Sequence, residues 1–254
     1  VEQLRWIGFG AFFVSSLVIG LRLLLLARRT GKLPEFLIGI AVLFTGPFGY
    51  GLSMLAFALA RHSLTLSATL MGSALLATNL GAIAQFLFAW TVFRRGAREA
   101  KAVVWAAVVL LLAAYVGDLV DNGLVNRRPQ GAWFWLGSLL RTAALGWTAV
   151  ESLRYHRVMR TRVRLGLADP VVTQSFLLWG EGCAAAFVGA LIGHGTRLVT
   201  GGGVAEIAAL NLAVSLLGLC AAIAMWLAFL PPAAYRRRIQ ARGRRAAAVS
   251  SAPG

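Results

Sequence analysis

Residues 64–93 read LTLSATLMGSALLATNLGAIAQFLFAWTVF, an unbroken run without one charged side chain, and Arg94-Arg95 follow at once. A helix of about 20 apolar residues crosses the hydrocarbon of a bilayer. A soluble helix would need a polar outer face over the same length. The basic pair after the run marks the boundary where the chain leaves the apolar layer. Six more runs of this kind flank it, at 6–27, 36–60, 102–121, 131–152, 171–193 and 204–230. Charged residues make up only 13% of the chain, where soluble domains carry about 25%. The sequence therefore predicts an all-α, polytopic bundle of seven transmembrane helices over residues 1–230. A basic cytoplasmic tail, 231–254, follows and is expected to be disordered at its end. The first run is too long for the core of a signal peptide, so it is read as a retained helix.

Lysine and arginine placement sets the orientation. Arg28, Arg29 and Lys32 lie in the first connection, and Arg94, Arg95, Arg98 and Lys101 in the third. Five arginines from Arg154 to Arg164 lie in the fifth, and six from Arg236 to Arg245 in the tail. The opposite side holds only Arg5, Arg61, Arg127, Arg128 and Arg197. The expectation is an external N-terminus and a cytoplasmic C-terminus. The net charge of +16 is then mostly topology, with attraction to anionic headgroups at the cytoplasmic face. No nucleic-acid partner is expected. A bacterial inner (plasma) membrane is the expected location.

Cys183 and Cys220 both sit in apolar runs, and His62, His156 and His194 are scattered. Neither set offers the spacing of a disulfide framework or a metal site. No nucleophile and base are paired, so no enzyme is expected. Polar groups at membrane depth are the better guide, because each is costly to insert. Arg141 and Glu181 both fall near the midplane, about 15 Å from the ends of consecutive antiparallel spans at 1.5 Å per residue. They are expected to approach each other. Gly180 and Gly182 flank Glu181 and leave room for a helix, a ligand or water. Asn79, Gln85 and Asn211 add amides to spans three and seven. Asp118, His194, Arg197 and Glu206 read as a polar cluster at the outer mouth. In span two, Gly46-Pro47-Phe48-Gly49-Tyr50-Gly51 is a helix easily bent, since proline removes a backbone donor.

Spans three and seven share a pattern: Ala77-Thr-Asn79-Leu80, Trp90-x-x-Phe93 and Arg94-Arg95 against Ala209-Leu-Asn211-Leu212, Trp226-x-x-Phe229 and Arg236-Arg237. That pattern suggests a 3+1+3 parallel repeat of the kind found in some transporters. With the helix count and orientation, it resembles the SWEET and PQ-loop sugar and amino-acid transporters. The resemblance implies a central pocket made by Asn79 and Asn211 with Thr45 and Trp179. The chain departs from those families in having no proline in span one, and its Pro129-Gln130 precedes span five. Seven helices also resemble microbial rhodopsins, but the only lysines, Lys32 and Lys101, lie in connections. No lysine in span seven can form a retinal Schiff base, and no cofactor is expected. The functional expectation is a small-solute or ion transporter with a central polar site around Arg141, Glu181, Asn79 and Asn211. The alternative is a seven-helix sensor, receptor-like module or accessory subunit acting through membrane or cytoplasmic protein partners.

Overall fold

The computed structural model describes residues 2–122, 131–201, 203–204 and 207–250, and every regular element among them is helical. In chain order these are α1 (Glu2–Thr30), α2 (Leu33–Leu43), a π-helical stretch (Phe44–Gly51), α3 (Leu52–Leu59), α4 (Leu64–Phe93) and α5 (Arg98–Asn122). They are followed by α6 (Ala132–Arg164), α7 (Pro170–Thr200), α8 (Ala208–Phe229) and α9 (Ala233–Ser250). Among the described residues, six helical spans are long and apolar enough to cross a membrane: 7–30, 33–59, 64–93, 98–121, 170–200 and 208–229. Between 22% and 50% of each apolar window is buried within the chain. The remainder, including Phe57, Val109, Val120 and Leu198, faces outward, as lipid-facing side chains do.

Each expected span is found as a helix, but the ends differ from the sequence reading. The fifth run does not stop at 152. It continues through the arginine-rich segment to Arg164, because arginine is a good helix former and nothing before Gly166 breaks the turn. Arg141, with the serine, threonine, glycine and tryptophan residues around it, makes residues 132–150 less apolar than the other runs, and α6 is not among the six apolar spans. The tail is helical as α9 up to Ser250, while residues 251–254 lie outside the described residues, as does the connection 123–130.

Local chemistry explains the element ends. Ser63 caps α4 by accepting from the Leu66 N–H, and Asp169 caps α7 by accepting from the Val171 N–H at 2.8 Å. Proline occupies the first turn of α2 and of α7, where its missing N–H costs nothing. Gly201 closes α7 in the left-handed conformation, φ 67°, which L-residues with a side chain rarely adopt.

The chain forms two compact units. The first comprises residues 10–147. Its core is Ala82 and Phe86 of α4, Val104, Ala107 and Leu111 of α5 and Ala144 of α6, with Trp147 tilted against Phe86 at 5.7 Å. Small residues bring its other helices together: Gly46 faces Ser16 of α1, Gly49 faces Thr78 of α4, and Gly81 faces Thr45 and the Ala41 carbonyl. The second unit comprises residues 148–254 with residues 1–9. In it, α7 packs on α8 through Gly182 against the Ala221 carbonyl and on α6 through Gly180 against Leu153. Ser175 Oγ donates to the Ala228 carbonyl at 2.9 Å, tying α7 to the end of α8. The unit boundaries fall inside α1 and α6, whereas the expected three-helix halves would meet at α5.

Candidate polar site around Arg141

Within the first unit, α4, α5 and α6 bring three sequence-selected residues together. Arg141 Nη1 donates to Asn79 Oδ1 at 2.7 Å, and Nη2 donates to Ser138 Oγ at 2.9 Å. Asn79 is almost wholly buried, at 2% exposure. Its Nδ2 donates to the Leu111 carbonyl at 3.2 Å. A guanidinium can only donate, so it fixes which end of the amide faces it and which end is left to reach α5. Asn79 is thereby a cross-brace between three helices.

Asp118 of α5 is buried and acts electrostatically on Arg141. Asp118, Asn79 and Arg141 line a common crevice with Tyr115, Trp133 and Gly137. Its volume is about 10 Å³, near the ~10–15 Å³ that admits one water. Gly137 makes room for the charge, since a Cβ there would stand 3.1 Å from Nη1.

Sequence reading missed Ser138, Tyr115 and the Leu111 carbonyl, and it assigned Asp118 to a different cluster. The signal lay in side-chain direction. In a helix, side chains lean toward the N-terminus, so Arg141 reaches back over Ser138 and Gly137. Its charge therefore sits well toward the start of α6, nearer the depth of Asp118 on antiparallel α5 than its Cα position implies.

The other selected residues sit as follows. Thr45 lies in the π-helical stretch against Gly81, and Gln85 is buried on α4. Glu181 belongs to the second unit, where it is exposed on α7. The glycines flanking it are occupied by helix packing, Gly180 on Leu153 and Gly182 on Ala221. Trp179 is buried with its ring edge on Phe229 at 5.3 Å, and its indole N–H has no protein partner. Asn211 is half-buried in the first turn of α8, whereas Asn79 lies near the middle of α4. His194 and Arg197 lie in the last two turns of α7, and Glu206 lies outside the described residues. Among the described residues no three His, Cys, Asp or Glu side chains gather as metal ligands.

Long apolar helices with outward-facing hydrophobic surfaces define the class, a polytopic membrane protein. In comparisons with known proteins, no family model, no curated protein and no solved structure matches the chain.

Proposed function

We propose that this chain is a seven-span membrane protein that passes a small solute or ion along the polar site around Arg141. In this reading α6 is the seventh span, the N-terminus is external and the C-terminus cytoplasmic. The observation that carries it is the guanidinium itself. Arg141 is the one charged side chain in residues 132–150, and two of its five donors are used by Asn79 and Ser138. The rest lie beside a crevice shared with Asp118. An intramembrane charge in such a place is costly, and solute or ion pathways are where such charges are found. The proposal assigns no reaction to the chain.

The test is flux across proteoliposomes holding the full chain, with a panel of small anions, cations, sugars and amino acids. Wild-type protein is expected to accelerate at least one of them. Arg141→Met and Asp118→Asn are each expected to reduce that flux about tenfold or more, the size of one lost charge-assisted contact. Flux unaffected by both changes would remove Arg141 from the pathway.

The tightness of the crevice favours a second reading. A space for one water passes nothing in this conformation, and a closed polar cluster suits a sensor or accessory subunit that works through partner proteins. Absence of flux for the whole panel, with a partner chain co-purifying from native membranes, would put that reading first.

A further inference from the structure

A larger cavity than the Arg141 crevice lies within the second unit. It measures about 470 Å³ and is an open pocket lined by the end of α6, the start of α7 and α9. This is within the ~300–1,000 Å³ range of ligand pockets. Arg160, Arg238 and Arg242 stand around it with His156, Gln174 and Tyr235, and Val163, Leu177 and Ile239 supply apolar wall. No acidic side chain lines it. Three arginines from two separate helices line one concavity.

The neutral partners are arranged to suit the same occupant. His156 Nδ1 lies 2.8 Å from the Thr173 carbonyl. A carbonyl can only accept, so Nδ1 carries the proton and the ring is fixed in direction, with its Nε2 edge left for another contact. On α9, Tyr235, Arg238, Ile239 and Arg242 follow the three- and four-residue spacing of a single helix face. Arg236 and Arg237 lie off that face and are exposed. Proline 231 and proline 232 separate α9 from α8, which lets α9 turn back against α7.

We propose that this pocket binds one phosphate-bearing anion, the headgroup of an anionic phospholipid, with the arginines on the phosphate and the apolar wall against the glycerol end. Guanidinium pairs with phosphate oxygens bidentately, and basic pockets beside membrane-spanning helices recognise such headgroups. The site is independent of any transport through the Arg141 region.

The test uses detergent-solubilised full-length chain titrated with short-chain phosphatidylglycerol, short-chain phosphatidylcholine and inorganic phosphate. Lipid retention is read by native mass spectrometry and stability by thermal unfolding. Phosphatidylglycerol is expected to be retained and to raise the unfolding temperature, and phosphatidylcholine is not. Arg238→Gln/Arg242→Gln is expected to weaken retention by about tenfold or more, as loss of charge-assisted phosphate contacts requires. Arg236→Gln/Arg237→Gln removes the same net charge from the same helix and should change retention less than about threefold, since diffuse attraction alone is lost. Stabilisation by inorganic phosphate alone, lost in the first variant and kept in the second, would confirm the phosphate site and make its source a free anion. Equal losses in the two variants, or equal retention of the two lipids, would overturn the proposal. All four positions carry exposed side chains, so folding should survive, with circular dichroism as the check.

Discussion

At the scale of single residues, the Arg141–Asn79 pair makes an asymmetric prediction. Asn79→Ala removes a charged hydrogen bond and the brace to Leu111, and leaves a guanidinium less well satisfied inside the bundle. Hydrogen bonds to charged groups are worth ~1.5–3 kcal/mol, so a loss of about 2 kcal/mol is expected in detergent unfolding. Arg141→Met leaves the Asn79 amide oxygen and the Ser138 hydroxyl without that donor and Asp118 without its neighbouring cation, but, with α6 as a span, it also removes a charge that costs at least ~2.5–3.5 kcal/mol to place at membrane depth. It is expected to be the milder change. An Arg141→Met protein less stable than Asn79→Ala would mean that the charge, through Asp118, holds the helices more firmly than the amide does. The pair itself was half legible in the sequence. Each residue stands out as polar in an apolar run, but which polar groups meet depends on side-chain length and lean. Estimates of Cα depth omit both, and for that reason they left Asp118 in a separate cluster at the outer mouth.

Among elements, α4 is the post around which the first unit is built. Gly81 is a close approach to the second span. A Cβ there would meet the Ala41 carbonyl and the Thr45 amide, both backbone atoms at 3.1 Å, so the two helices would have to separate. Overpacking of this kind costs ~1–3 kcal/mol. Gly81→Val is expected to fall in that range by thermal unfolding, whereas Gly96→Val, where nothing stands within 4 Å of a Cβ, should change stability by less than about 0.5 kcal/mol. The spans were legible because their apolar runs are long and basic residues mark their ends. The continuation of α6 through Arg164 was not, because a boundary drawn where lipid ends says nothing about where a helix ends. An interruption of the regular α-helix at Pro47 is legible in its residues, but its π-helical form is not, since local composition does not decide how the extra residue is accommodated.

For the whole molecule, the distribution of arginine makes the topology testable without any functional assay. A reporter fused after Arg245 is expected to be cytoplasmic and one inserted within 122–130 external. A reporter pair on the same face would mean that α6, the least apolar of the long helices, does not cross, and the chain would then have six spans. Either result bears on the site, because Arg141 lies on that helix. An uncrossed α6 would place the guanidinium at an interface, where its charge is cheap and needs no function to explain it.

The π-helical stretch at Phe44–Gly51 also carries a consequence for how this sequence can vary. Removing one residue from an ordinary α-helix turns everything beyond it by about 100° and swings a packed face out of contact. A π-helical turn already holds a surplus residue, so a deletion there can be absorbed by straightening into an α-helix, with both flanks left in register. Loss of Phe48, which is exposed, should therefore keep the Ala56 carbonyl where Ser67 Oγ reaches it at 2.8 Å. Loss of Met54 in α3 should break that contact. The second helix thus has one place where its length is free to change.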